Sequence, residues 1–177
     1  MQPMQMGVYH ELKPLPNMMD PEEYRPIERH NPMPMVVFAP TNDWPVKMPG
    51  SKGKAEVEHI LRVQTGFDKT VFNRDHYEYN LVRKSQGDIL IDDVVAPSFH
   101  KTTIEGCCFG LAVITGAPNQ KWVQADLSTL PESLFKLVHE PEYLAMVKES
   151  CRNFVETDYH PKNLVGMYLE AYKRCLE

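Results

Sequence analysis

The sequence predicts an α/β domain: an open, Rossmann-like doubly wound parallel sheet with C-terminal helices. Three observations carry this. Three short apolar runs, 35–39, 88–92 and 111–115, are separated by stretches whose apolar residues recur at helical spacing. Those runs are apolar in their interiors instead of alternating, as expected for strands covered on both faces and paired in parallel. The 177-residue length fits one domain plus an appendage.

The appendage comes first. Ten of the fifteen prolines and eight of the ten methionines fall in residues 1–50. Proline fixes φ and removes a donor, so this lead is expected to be mostly extended or loop. The predicted division is a Pro/Met-rich lead over 1–34 and the sheet domain over 35–177. Met35-Val36-Val37-Phe38-Ala39, bounded by Pro34 and Pro40, reads as the first buried strand. Ser51 is expected to cap a helix to about Gln64, with Val57, Ile60 and Leu61 on its apolar face. Thr70-Val71-Phe72 is a short strand, and Asp75 to Lys84 a polar helix. Asp88 to Asp92 is the next strand. A helix beginning near Lys101-Thr102-Thr103 runs through Ile104, Cys107 and Cys108 to a stop at Gly110. Leu111 to Thr115 is another strand, ended by Gly116. The remainder is helical, with apolar faces Leu144, Val147, Cys151, Phe154, Val155 and then Leu164, Tyr168, Ala171, Tyr172, Cys175. Pro161 fits the first turn of the last helix.

Composition excludes several functions. A net charge of −5 and a pI near 5.8 argue against nucleic acid as a partner. No apolar run reaches the roughly 18–20 residues of a membrane span. Met1 to His10 lacks the pattern of a secretory leader. The four cysteines show no CxxC spacing and read as reduced thiols in a cytoplasmic protein. There is no GxxxxGK[ST], no GxGxxG after the first strand, no GxSxG and no HExxH.

In open α/β sheets ligands bind beyond the carboxyl ends of the strands, often at helix N-termini. Three loops meet that rule. In the first, Pro40 to Gly53, Lys52 is either an anion ligand at a helix start or a solvated surface lysine. Trp44 there either stacks on a ligand or covers the core edge. In the second, Asp92 to Lys101, the backbone N–H groups of Lys101, Thr102 and Thr103, with the two threonine hydroxyls, form a candidate phosphate cradle. His100 precedes it and either touches ligand or is exposed. Glu105 either complements the helix dipole or accepts from two neighbouring hydroxyls, such as a ribose diol. Asp92 and Asp93 invite a metal reading, but adjacent strand residues point to opposite faces, so no metal site is assigned. The third loop, Gly116 to Lys121, offers Asn119 and Gln120 and reads as a connection.

Together these segments resemble the C-terminal, nucleotide-sugar-binding domain of GT-B glycosyltransferases of the retaining group 1 type, over about residues 13–175. The residues that carry the resemblance are Leu15 to Asp20 followed by Tyr24-Arg25-Pro26; Phe38 to Asn42 followed by Lys52-Gly53; Asp88 to Asp92, Ile104-Glu105-Gly106 and Gly110 to Ile114; and the terminal helices from Asn153 to Tyr172.

The resemblance implies a nucleoside diphosphate sugar as donor substrate, with no cofactor and no metal. Lys52 would neutralise the diphosphate, the segment His100, Lys101, Thr102, Thr103 would cradle it, and Glu105 would accept from the ribose. Lys52 and Glu105 are thus the expected catalytic positions. Glu105 matches the second glutamate of the family's E-x7-E motif, and Pro97 stands eight residues earlier, where the family carries the first glutamate, which contacts the donor sugar. The resemblance also implies an N-terminal acceptor domain or a partner subunit, and peripheral membrane association through the acceptor. Two other readings compete with this donor-binding half: a non-catalytic nucleotide or nucleotide-sugar module, and an unrelated flavodoxin-like protein without a nucleotide site.

Overall fold

The computed structural model describes residues 17–29, 31–40, 42–72, 76–98 and 100–176. The start of the Leu15–Asp20 motif, Thr41 and Asp75, the expected first residue of the second helix, lie outside them. Five parallel strands form one sheet: β1 (Met35–Phe38), β2 (Asp68–Val71), β3 (Ile89–Ile91), β4 (Ala112–Thr115) and the short β5 (Val123–Gln124), in the order β2-β1-β3-β4-β5. The helices are α1 (Lys54–Val63), α2 (Tyr77–Ser85), α3 (Lys101–Cys108), α4 (Leu130–His139), α5 (Pro141–Thr157) and α6 (Pro161–Leu176).

The central strands β3 and β4 are wholly buried, which explains their unbroken apolar runs. The edge strand β2 is largely exposed and correspondingly polar. On one face α3 and α5 pack on β4 and on each other, with α2 against α3. Close approach of α3 depends on Gly106: a Cβ there would lie 2.4 Å from Leu90 Cδ2. Across the sheet α1 is tied to α4 by Gln64 Nε2, which donates to the Pro131 carbonyl at 2.7 Å.

The described part of the lead does not hang free. Met19 is buried, and Arg152 of α5 donates to the carbonyls of Pro21, Tyr24 and Cys108. Arg29 bridges to the Ser85 carbonyl and to Asp88, which also receives Lys148 at 3.0 Å.

Three expectations need correction. Ser51 does not cap α1: its hydroxyl donates to the Trp44 carbonyl at 2.6 Å and accepts from Gly53 N–H. Gly53 occupies the cap position with φ +63°, a left-handed conformation that favours glycine. The second strand begins two residues earlier than expected, at Asp68, because its polar first half pairs at an exposed edge where hydrophobicity gives no signal. The connection from Gly116 also contains β5, too short to show a pattern.

Candidate functional site

The chain leaves β1 toward β2 on one side and returns to β3 on the other. The crevice at this change of direction opens at the carboxyl ends of β1 and β3. There the structure builds a buried polar cluster around Asp92. Lys52 Nζ pairs with Asp92 Oδ1, both side chains enclosed. Thr103 Oγ1, in the first turn of α3, donates to Asp92 Oδ2 at 2.7 Å, and the His100 backbone N–H reaches the same oxygen at 3.3 Å. The His100 ring is wedged between two carboxylates: Nδ1 is 3.6 Å from Asp92 Oδ2 and Nε2 is 3.8 Å from Asp93 Oδ2. Burial works to raise the Asp92 carboxyl, but Lys52 and His100 outweigh it and hold the group well below the usual carboxylate range.

Asp93 has a different task. Its Oδ1 accepts from the N–H groups of Val95 and Ala96, both at 2.9 Å, while its carbonyl receives Gly116 N–H at 2.6 Å and the Thr115 hydroxyl at 3.1 Å. The β3–α3 loop is thereby fixed against the end of β4. Among the described residues no group of three or more His, Cys, Asp or Glu side chains is arranged to hold a metal ion.

Lys52, His100 and Thr103 are brought together; Glu105 is not brought to them. Residues two apart on an α-helix are about 200° apart around its axis, so Thr103 and Glu105 leave α3 on opposing sides. Glu105 is 2% exposed and pairs through Oε2 with Lys84 of α2, also buried. Its Oε1 is 4.0 Å from Lys101 Nζ, which lies 4.1 Å from the centre of the Tyr77 ring. Burial, and then the Glu105 charge, push the Tyr77 hydroxyl strongly upward, so it stays a donor. Lys101 is half-exposed at its side chain, and Thr102 is partly buried beside it.

Sequence reasoning misses two buried charged partners. It offers Asp92 only as a metal ligand, although its place at a strand end opposite Lys52-Gly53 is an available signal. Lys84 gave none, since nothing in the local pattern of α2 marks a lysine that turns inward. Trp44 is about half-exposed, while Asn119 and Gln120 are surface residues of the third loop. The cysteines are free, with Cys107, Cys108 and Cys151 buried and Cys175 exposed. Burial drives the Cys107 thiol well up and the Cys108 thiol to about 12, as expected for packing residues and not nucleophiles.

Beside the Asp92 cluster lies a cavity of about 330 Å³ at the ends of β3, β4 and β5. Its lining combines the apolar stretch Val94, Val95, Ala96 and Pro97 with Gly116 and, from β5 and the segment after it, Gln124, Asp126 and Thr129. The Lys52-Gly53 turn abuts it: a Cβ on Gly53 would lie 2.9 Å from Val95 Cγ2 and 3.5 Å from Leu127.

No family model matches the sequence. No curated protein matches it either. Solved structures do. Sucrose-phosphate synthase from Thermosynechococcus elongatus superimposes with a TM-score of 0.61 at 14% identity, over 92% of this chain and 52% of that one. The C-terminal domain of the glycosyl transferase group 1 family protein LpcC from Francisella tularensis gives 0.56 at 12% identity, over 80% of this chain and 98% of that one. TarM from S. aureus, in a complex that includes UDP, gives 0.65 at 9% identity, over 94% and 41%. The chain thus spans about half the length of the sucrose-phosphate synthase chain and nearly all of the isolated LpcC domain. Its architecture, with the parallel sheet, the helices on both faces and the terminal helices, is that of the C-terminal domain of GT-B glycosyltransferases.

Proposed function

We propose that this chain is the donor-binding domain of a retaining glycosyltransferase, taking a nucleoside diphosphate sugar for glycosyl transfer to a hydroxyl acceptor. The observation that carries the reading is the Lys52–Asp92–Thr103 cluster in the crevice where a GT-B-type sheet changes direction. An ammonium has three donors, and Asp92 Oδ1 takes one of Lys52's. Asp92 also orients the first turn of α3, where the Lys101 and Thr102 N–H groups and the positive dipole end favour an anion.

In this reading the diphosphate lies between Lys52 and the His100–Thr103 turn, within reach of Lys101 and Thr102. Negative charge that develops on the departing diphosphate is stabilised by these fixed groups, each charge-assisted contact contributing about 1.5–3 kcal/mol. Chemistry needs the acceptor half, either as an N-terminal domain or as a partner subunit. The proposed setting is cytoplasmic, with membrane contact made only through the acceptor. Among the described residues no helix is long and apolar enough to cross a membrane.

A second reading, a non-catalytic nucleotide or nucleotide-sugar module, is favoured by one observation: Glu105, the expected ribose and catalytic position, is enclosed by Lys84. A ribose role for Glu105 requires that pair to open.

Thermal-shift measurement with UDP, GDP and their sugar conjugates tests donor binding. A ligand at 100 times its Kd stabilises by about 2.7 kcal/mol, a rise of about 5–10 °C for a chain of this size. No shift with any of them contradicts both readings. Glycosyl transfer or donor hydrolysis, assayed with and without an acceptor-domain partner, separates them.

A further inference from the structure

We infer that Asp126 is a sugar-recognition residue: its carboxylate, on the rim of the cavity beside Lys52-Gly53, accepts hydrogen bonds from a hydroxylated group attached to the bound diphosphate. This rests on the donor-binding reading and adds to it the residue that distinguishes a sugar-bearing diphosphate from a bare one.

The position of the cavity leads to this assignment. The Lys52-Gly53 turn abuts the cavity at Val95, so a group extending from a diphosphate held by Lys52 has this cavity beside it. Val94, Val95, Ala96 and Pro97 make one wall, and their side chains offer no hydrogen-bonding atom. The loop carrying them is held by Asp93, so this wall does not rearrange freely. The polar side chains of the lining are Gln124, Asp126 and Thr129, and among the described residues Asp126 is its sole charged one. A cavity that combines apolar side chains with a carboxylate suits a pyranose, which presents C–H faces and a rim of hydroxyl donors.

Asp126 is also fixed before any ligand arrives. Its Oδ1 accepts from Ser128 N–H at 2.8 Å, Ser128 Oγ at 2.6 Å, Thr129 N–H at 3.0 Å and Thr129 Oγ1 at 3.1 Å. Those bonds cap the approach to α4 and lock the side-chain rotamer. Oδ2 has no recorded partner among the described residues. The hydrogen bonds from Ser128 and Thr129 also hold the group's pKa at about 2, so the acceptor remains ionised at neutral pH.

The test is calorimetric titration of the full chain with UDP and UDP-glucose and with GDP and GDP-mannose, in wild type and in two variants. Asp126→Asn keeps a capping oxygen and removes the charge. Asp126→Ser keeps a shorter capping oxygen and removes the carboxylate. The expected result is that at least one sugar conjugate binds wild type tighter than its bare diphosphate. Both variants then lose that preference, roughly tenfold or more, with bare diphosphate affinity unchanged. Equal loss for conjugate and bare diphosphate, or no loss for either, overturns the assignment and leaves donor binding standing. The same holds if wild type does not distinguish them. Failure of all four compounds to bind wild type overturns donor binding together with it.

Discussion

Two buried lysine–carboxylate pairs lie on opposing sides of α3, and their surroundings differ in kind. Lys52–Asp92 lies at the strand ends, where Asp92 has further partners in Thr103 and the His100 N–H and where the first turn of α3 opens onto the crevice. Lys84–Glu105 is enclosed between α2 and α3, with Tyr77 and Lys101 over it. Burying an ion pair is expensive, and removing one partner strands the other. The first pair gains, for that expense, a polar cluster at the strand ends, the position proposed for the diphosphate. The second holds two helices together. Lysine and carboxylate side chains of similar burial therefore belong to the proposed site in one case and to the scaffold in the other.

The largest expected effect comes from breaking the scaffold pair. Glu105→Ala leaves the Lys84 ammonium buried and alone, and should lower the unfolding free energy by about 3–5 kcal/mol in urea denaturation. The double variant Lys84→Met/Glu105→Leu should recover most of that loss, since an apolar replacement of similar volume leaves no stranded charge. That double variant also sharpens the comparison: it should bind UDP or GDP as wild type does, and a tenfold weaker Kd would show that Glu105 contacts the ribose.

Next is the crevice pair. Lys52→Met should cost stability near the lower end of about 3–5 kcal/mol, because Thr103 and His100 N–H still satisfy Asp92 Oδ2. A loss as large as that of Glu105→Ala would erase the distinction between the pairs.

Acid titration gives a third test. Asp92 is held down by Lys52 and His100 against its burial. Asp88, likewise pulled upward by burial, is held down by the Met35 N–H and by Lys148 and Arg29. A carboxyl depressed in the folded state stabilises at pH above its unfolded value of about 3.9, and the gain is lost as pH falls below it. The melting temperature should fall steeply below about pH 4 in wild type and less steeply in Asp92→Asn. Parallel slopes would contradict the depressed carboxyl.

The smallest effect is expected at Gly53→Ala. A left-handed conformation at φ +63° and a Cβ 2.9 Å from Val95 Cγ2 should cost about 1–2 kcal/mol, read as a lower denaturation midpoint. Diphosphate affinity should fall with it, since the turn that carries Lys52 shifts; unchanged affinity would separate Gly53 from the site.

The buried strands were legible because both of their faces are covered, so Ile89 to Ile91 and Ala112 to Ile114 are apolar without interruption. The edge strand Asp68–Val71 was half visible for the converse reason. Lys52, His100 and Thr103 could be found because they occupy loop ends and a helix start, where strand order alone decides what meets. Glu105 shows where a linear reading stops. Its helical position was correct, but the direction of its side chain is decided by Lys84, twenty-one residues earlier in sequence and adjacent only after α2 packs on α3. Ser51 failed as a cap for a local reason, since Gly53 takes the cap position and the Ser51 hydroxyl accepts from Gly53 N–H instead of from a helix N–H.

The central claim is that Lys52 and the first turn of α3 bind a diphosphate, and one measurement addresses it directly. Calorimetric titration would compare uridine with UDP, and guanosine with GDP, on wild type and on Lys52→Gln, with folding of the variant confirmed by its melting curve. The account predicts that one diphosphate binds wild type far more tightly than its parent nucleoside, and that Lys52→Gln removes most of this difference while leaving the nucleoside affinity unchanged. A difference that survives the substitution, or an equal loss for nucleoside and diphosphate, would contradict it.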